Sequence, residues 1–181
     1  RLQGWVDYLH QRGYAAATGD FPSQALVWDG TRLGEREQAP DALGHPLLPA
    51  PSIDDPTLTT RALVPASHRV DALLAVISAL GSDRPDNPIV IQQSGALWLR
   101  TDRVGDTPVT VFAAPPSDTP RDTSAEPLDD DTSSLRLWSD DAGRVWRAES
   151  RIGGAWVTID FSDAVGVSLP NPADSAPGAN E

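Results

Sequence analysis

The chain has 181 residues, with 26 acidic and 14 basic side chains, a formal charge of −12, and neither cysteine nor methionine. That balance disfavours nucleic acid and anionic membrane surfaces as partners, since both would be repelled over most of the surface. Without cysteine, disulfides, thiol catalysis and cysteine-ligated zinc are excluded together, and no apolar run approaches the ~20 residues that span a bilayer.

Hydrophobic residues at 39% and charged residues at 22% place the chain among globular proteins. We expect a single domain over residues 1–170 and a disordered tail over 171–181. The basic residues are all arginine, and alanine, aspartate, proline and glycine are heavily used. This usage reads as the coding bias of a high-GC actinobacterium. The missing initiator suggests that a secretory or lipoprotein signal, with its lipobox cysteine, precedes this sequence. The expected location is therefore extracytoplasmic, anchored to the outer face of the cytoplasmic membrane.

Leu2, Trp5, Val6 and Leu9 at i, i+3, i+4 and i+7 predict an amphipathic helix over 1–12, which Gly13 would end. Leu26, Val27 and Trp28 suggest a short strand before an Asp29-Gly30 turn. Pro40, Pro46, Pro49, Pro51 and Pro56 exclude a helix or central strand over 39–56, leaving an extended loop. A strand over 58–64 would stop at Pro65. Ser67 is placed as the N-cap of a second helix, with Val70, Leu73, Leu74, Ile77 and Leu80 on one stripe and Gly81 beyond its end. Ile89 to Ile91 adds a short strand.

A hairpin then pairs 96–103 with 107–113 about Gly105-Asp106. Strict alternation would put Leu97, Leu99 and Phe112 on one face and Trp98, Val109 and Val111 on the other, so the pair belongs inside a sheet covered on both sides. Residues 115–133 carry Asp118, Asp122, Glu126, Asp129, Asp130 and Asp131 against Arg121, with Leu128 as the one sizeable apolar group. Such a segment buries too little to offset its ordering entropy and is expected to be a mobile acidic loop.

Residues 134–161 pair as a three-stranded meander. With Asp141-Ala142-Gly143 as a three-residue loop and Gly143 left-handed, Asp140 faces Arg144 and Trp138 faces Trp146. With Gly153-Gly154 as a two-residue turn, Ala148 meets Ile159, Arg147 meets Asp160, and Trp146 meets Phe161. One face then gathers Trp138, Trp146, Ala148, Val157, Ile159 and Phe161, and the other gathers Arg147 with Asp160, Glu149 with Thr158, and Arg151 beside Trp156. A slip of one residue would destroy this sorting.

Motifs for chemistry are absent. There is no G-x-S-x-G, S-x-x-K, H-E-x-x-H or phosphate-cradling glycine loop. His10, His45 and His68 lack metal-ligand spacing, and Asp129-Asp130-Asp131 lacks the spaced oxygens of a calcium loop. No catalytic residue, metal or cofactor is assigned, and the chain is read as a non-enzyme. Two surfaces stand out instead. An apolar face of Leu73, Leu74, Ile77, Trp138, Trp146, Ile159 and Phe161 would meet a ligand or close as core. Arg136, Arg144, Arg147 and Arg151, close to Trp156, have the composition of an interaction surface, although cross-strand pairing and stacking would explain the same residues structurally.

The run from Leu135 through Trp138-Ser139-Asp140-Asp141-Ala142-Gly143-Arg144 to Arg147, followed by Trp156 to Asp163 and the close Val167-Ser168-Leu169-Pro170, resembles the ending of actinobacterial envelope lipoproteins related to LppX, LprG and the LolA carriers. The Val104-Gly105-Asp106-Thr107-Pro108-Val109 hairpin after a helix is also in that family's order. The likeness covers residues 67–170. The first sixty, with few predicted strands and much proline, fall outside it. It implies an α+β fold in which a curved antiparallel half-barrel carries two helices packed on one face. It also implies either carriage of acyl chains or sensing of envelope state. Six tryptophans favour a filled half-barrel. The expectation is a regulatory or interaction module, such as a lipoprotein that restrains an envelope-stress sensor kinase, with a lipid-binding carrier as the alternative.

Overall fold

The computed structural model describes residues 1–80, 97–114, 133–162 and 167–170. The predicted strand at 89–91, Gly81 and the tail 171–181 lie outside the described residues, as does the acidic segment up to residue 132. Contacts group the chain into two compact units, Arg1–Asp83 with Ala164–Glu181, and Arg84–Asp163, where the sequence reading has a single domain. The expected single curved sheet is two open, five-stranded antiparallel sheets.

The first unit holds β1 (Leu2–Asp7), β2 (Arg12–Ala17), β3 (Gln24–Trp28), β4 (Arg32–Glu37), β5 (Thr59–Ala62) and α1 (Arg69–Ala79). Its strands pair in simple chain order. The helix expected over 1–12 is therefore corrected to β1, a turn and the start of β2. Gly4, which would cost a helix interior about 1 kcal/mol relative to alanine, lies where a Cβ would come within 2.1 Å of the Tyr14 carbonyl oxygen. Trp5 pairs with Tyr14 across the strands, and Leu9, the last member of the supposed apolar stripe, is 79% exposed in the turn. Asp7 organises that turn by accepting from the His10 N–H at 3.2 Å and from Arg12 Nη2 at 3.0 Å. Gly13 is no helix stop. It pairs with Trp28, and a Cβ there would lie 2.0 Å from the indole ring.

Tyr14, Ala25, Val27, Ala50, Ile53, Leu58 and Leu169 form the core on one side of this sheet, with Trp5 and Val167 packed against it. The proline-rich loop thus contributes core residues while forming no helix or strand. Trp28, a paired partner of Gly13 and Leu33, projects to the other side, where its Nε1 donates to Ser78 Oγ of α1 at 3.4 Å. The helix begins one residue later than expected for a Ser67 cap, with His68 at the N-cap and no side-chain capping bond. Leu74 and Ile77 of the predicted stripe are buried, Val70 is exposed, and Asp71 is buried beside them.

The second unit holds β6 (Leu97–Val104), β7 (Thr107–Ala114), β8 (Leu135–Ser139), β9 (Val145–Ile152) and β10 (Ala155–Asp160) in the order β10-β9-β8-β7-β6. The Gly153-Gly154 turn and its register are as expected: Ala148 meets Ile159, Arg147 meets Asp160, and the Phe161 N–H donates to the Trp146 carbonyl at 2.9 Å. Gly143 is left-handed, with φ of 82°, and the Asp140 N–H bonds the Arg144 carbonyl.

Two register shifts interrupt the regular pairing of this sheet. Between β8 and β9, Ser139 pairs with Val145 but Trp138 pairs with Arg147 rather than Trp146. This bulge, with two residues opposite one, re-sorts the faces. Leu137 joins Ala148 and Ile159, while Trp138 joins Arg147 and Asp160. A second bulge between Trp98 and Arg100 sets Leu99 against the cluster of Val109, Val111 and Trp138, overturning its expected placement with Phe112. Trp98, expected beside Val109 and Val111, instead pairs with Phe112 on the edge strand and is 58% exposed.

Candidate functional sites

Because of the β8–β9 bulge, the indoles of Trp138 and Trp146 belong to one cluster with Val109, Val111, Leu99 and Val104. That cluster shares its face with the charges the sequence reading assigned to the opposite side. Trp138 is 3% exposed, and each indole N–H must find an acceptor if it is not to be stranded. Trp138 Nε1 donates to Asp102 Oδ2 at 3.0 Å and Trp146 Nε1 to Asp140 Oδ2 at 2.8 Å. The indole bonds lead the causes that hold both carboxyls below their ordinary range.

Arginines lie over the ring faces: Arg144 is 4.1 Å from the Trp146 centroid, Arg136 is 4.1 Å and Arg151 5.2 Å from Trp156, and Arg100 is 5.8 Å from Trp138. Arg147 Nε donates to Asp160 Oδ1 at 2.5 Å, and Arg136 Nη1 lies 3.4 Å from Glu149 Oε2. Chemically the face is a ladder of guanidinium planes, indoles and carboxylates. It can offer stacking area and forked N–H donors with its geometry already fixed by internal bonds.

The residues of the expected apolar face are divided. Leu73, Leu74 and Ile77 belong to α1 in the first unit. In the second unit Trp138 and Trp146 lie in the cluster with Val109 and Val111, while Ile159 is half-buried on the opposite face. Phe161 is half-buried just past β10. The expected interaction residues Arg136, Arg144, Arg147, Arg151 and Trp156 do come together. Arg100, Asp102 and Asp140 complete the ladder and were not anticipated, because the bulges that bring them in leave no mark on the local residue pattern.

A second feature was missed because residues 1–12 were read as helical. The start of β2, the end of β3, the proline-rich loop and the segment 167–170 line a partly open cavity of about 250 Å³ in the first unit. Tyr14, Val27, Trp28, Ala50, Ile53 and Leu169 wall it, with His10, Arg12 and Asp29 among the polar groups. Arg12 is held by Asp7 Oδ2, at 3.1 Å from Nε and 3.0 Å from Nη2, and its Nη1 donates to the Pro170 carbonyl. Burial pushes the Asp7 carboxyl up, but the His10 and Arg12 bonds outweigh it and leave Asp7 below the ordinary range.

Of the other histidines, His45 stacks on Trp5 at 5.3 Å. Among the described residues no group of three or more histidine or acidic side chains is placed to hold a metal ion, and no helix is long and apolar enough to cross a membrane. A scan against family models finds no match, and neither curated proteins nor solved structures give one.

Proposed function

We propose that the chain is a non-catalytic interaction module of the bacterial envelope, and that the arginine–tryptophan face of its second unit is the surface that meets a protein partner. The observation that carries this reading is the β8–β9 bulge, which sets Trp138 and Trp146 beside Arg100, Arg144 and Arg147 on one face. Arginine and tryptophan dominate binding energy at interfaces, and geometry fixed in advance reduces the ordering cost of association. The arginines alternate with Asp102, Asp140, Glu149 and Asp160, so the face favours a partner surface that carries charges of both signs, and their arrangement orients the encounter.

The extracytoplasmic, lipoprotein-anchored setting and the role of restraining a sensor kinase rest on composition and on the likeness to LppX, LprG and LolA carriers. The carrier reading would instead need a hollow half-barrel. The 250 Å³ cavity is smaller than the roughly 300–1,000 Å³ of sites for drug-sized ligands, which favours interaction over carriage.

Capture from an actinobacterial envelope fraction tests the surface. Arg147→Glu should weaken retention of the envelope partner about tenfold or more, whereas Arg103→Glu on the opposite face should not. Equal capture by the two variants would contradict the assignment.

A further inference from the structure

We propose that the outer edge of β1 pairs with the same edge of a second copy of this chain, so that the sheets of two first units join into one antiparallel sheet by strand addition. The contact is made by the first unit alone and stands apart from the arginine–tryptophan face.

The edge carries unused backbone groups. β1 ends its sheet, with β2 as its one neighbour. The Thr18 N–H donates to the Arg1 carbonyl at 2.8 Å and the Arg1 nitrogen to the Thr18 carbonyl at 2.6 Å, so these two residues exchange both bonds. Bonded and non-bonded pairs alternate in an antiparallel ladder. The bonds to β2 therefore fall at Gln3, Trp5 and Asp7, opposite Ala16, Tyr14 and Arg12. Leu2, Gly4 and Val6 turn their N–H and carbonyl groups away from the sheet, and among the described residues no other strand or loop backbone bonds them.

The other three edges suit self-pairing less. β6 is broken by the bulge between Trp98 and Arg100 and carries Arg100, Asp102 and Arg103. β5 has four residues, with Arg61 among them. β10 ends on Asp160 and holds no basic residue to meet it in a second copy. By contrast, β1 runs six residues in regular register, and Leu2 to Val6 carry no charge.

The alignment follows from β1 itself. Using every outward residue sets Leu2 against Val6 of the second copy, Gly4 against Gly4 and Val6 against Leu2, about a two-fold axis at Gly4. Leu2 and Val6 are half-buried, and their pairing covers apolar surface on one face. The same alignment places Arg1 opposite Asp7 of the other copy at both ends, a favourable cross-strand charge pair. Arg1 is exposed. Asp7 Oδ1 accepts one bond, from the His10 N–H at 3.2 Å, and a carboxylate oxygen has capacity for another. A slide of two residues would leave one outward residue of each strand unpaired and separate Arg1 from Asp7.

Sedimentation of the full chain tests the contact at about 0.15 M salt, where repulsion between two chains of charge −12 is screened beyond roughly 8 Å. The wild type should pass from monomer to dimer as its concentration rises toward about 1 mM. Val6→Pro removes an N–H that the sheet does not use, and Arg1→Glu sets like charges opposite Asp7. Each should weaken dimerisation about tenfold. Leu2→Cys combined with Val6→Cys should give a disulfide-linked dimer on mild oxidation, since the chain has no other cysteine and opposed Cα atoms about 5.5 Å apart suit the bond. Within one strand those positions lie roughly 13 Å apart, and either single variant should form no link. Should Val6→Pro fail to fold, Arg1→Glu and the cross-link decide. A chain that stays monomeric throughout, a dimer indifferent to both Val6→Pro and Arg1→Glu, or a single-cysteine variant that links as readily as the pair would each overturn the proposal.

Discussion

Asp71 has none of its surface exposed, yet it is ionised. Arg61 donates from both terminal nitrogens at 2.7 Å and the Val64 N–H donates at 2.7 Å. The Arg61 bonds lead the causes that hold its carboxyl below the ordinary range. A carboxyl depressed in the folded state adds stability that is present above its unfolded value, about 3.9, and is lost as pH falls through the folded value. Urea unfolding of the wild type should therefore weaken below about pH 4, and Asp71→Asn should remove that part of the acid dependence. At neutral pH the substitution should cost about 2–3 kcal/mol, less than the roughly 3–5 kcal/mol for a fully buried pair because Arg61 keeps contact with water. The indole-bonded carboxylates allow a cleaner reading of a single bond. Trp146→Phe keeps the ring stacked but removes the N–H, so the Asp140 carboxyl should titrate closer to its ordinary value by carbon NMR, while Asp102, bonded to Trp138, should not move.

At the scale of strands, each close approach is a packing constraint. A Cβ at Gly13 would lie 2.0 Å from Trp28 Cζ2, whereas nothing lies within 4 Å of one at Gly30. Thermal melts should show Gly13→Ala destabilised by about 1–3 kcal/mol through overpacking and Gly30→Ala nearly unchanged. The β8–β9 bulge can be tested covalently, because the chain has no cysteine of its own. Leu137→Cys with Ala148→Cys, a paired set in the bulged register, should form a disulfide on mild oxidation. Leu137→Cys with Arg147→Cys, paired only in the unbulged register, should stay reduced.

The turns of this hairpin were legible in the sequence, since Gly143 and Gly153-Gly154 have strong local preferences, and the β9–β10 register followed from them. The bulge was not, because one extra residue leaves the turn intact and merely moves Trp138 to the arginine side. The first strands were missed for a related reason. Leu2, Trp5, Val6 and Leu9 fit a helical stripe, and only the long-range approach of Gly4 to Tyr14 and of Gly13 to Trp28 decides for strands.

Over the whole molecule, each five-stranded sheet carries its own hydrophobic cluster, so neither unit depends on a ligand to supply a core. That is the pattern expected of a module that binds through an outer face. The sequence conveyed the antiparallel β character, the α1 helix and the arginine–tryptophan cluster, all set by local periodicity or composition. It concealed the cavity of the first unit, which depends on contacts between residues as far apart as Arg12 and Pro170. Interaction rather than lipid carriage is the claim on which the functional account stands. Native mass spectrometry of the full chain purified from a bacterial host without detergent addresses it most directly. The predicted result is a bare polypeptide mass with no lipid adduct. A stoichiometric acyl-chain adduct, released on delipidation and restored by fatty acid, would contradict the account.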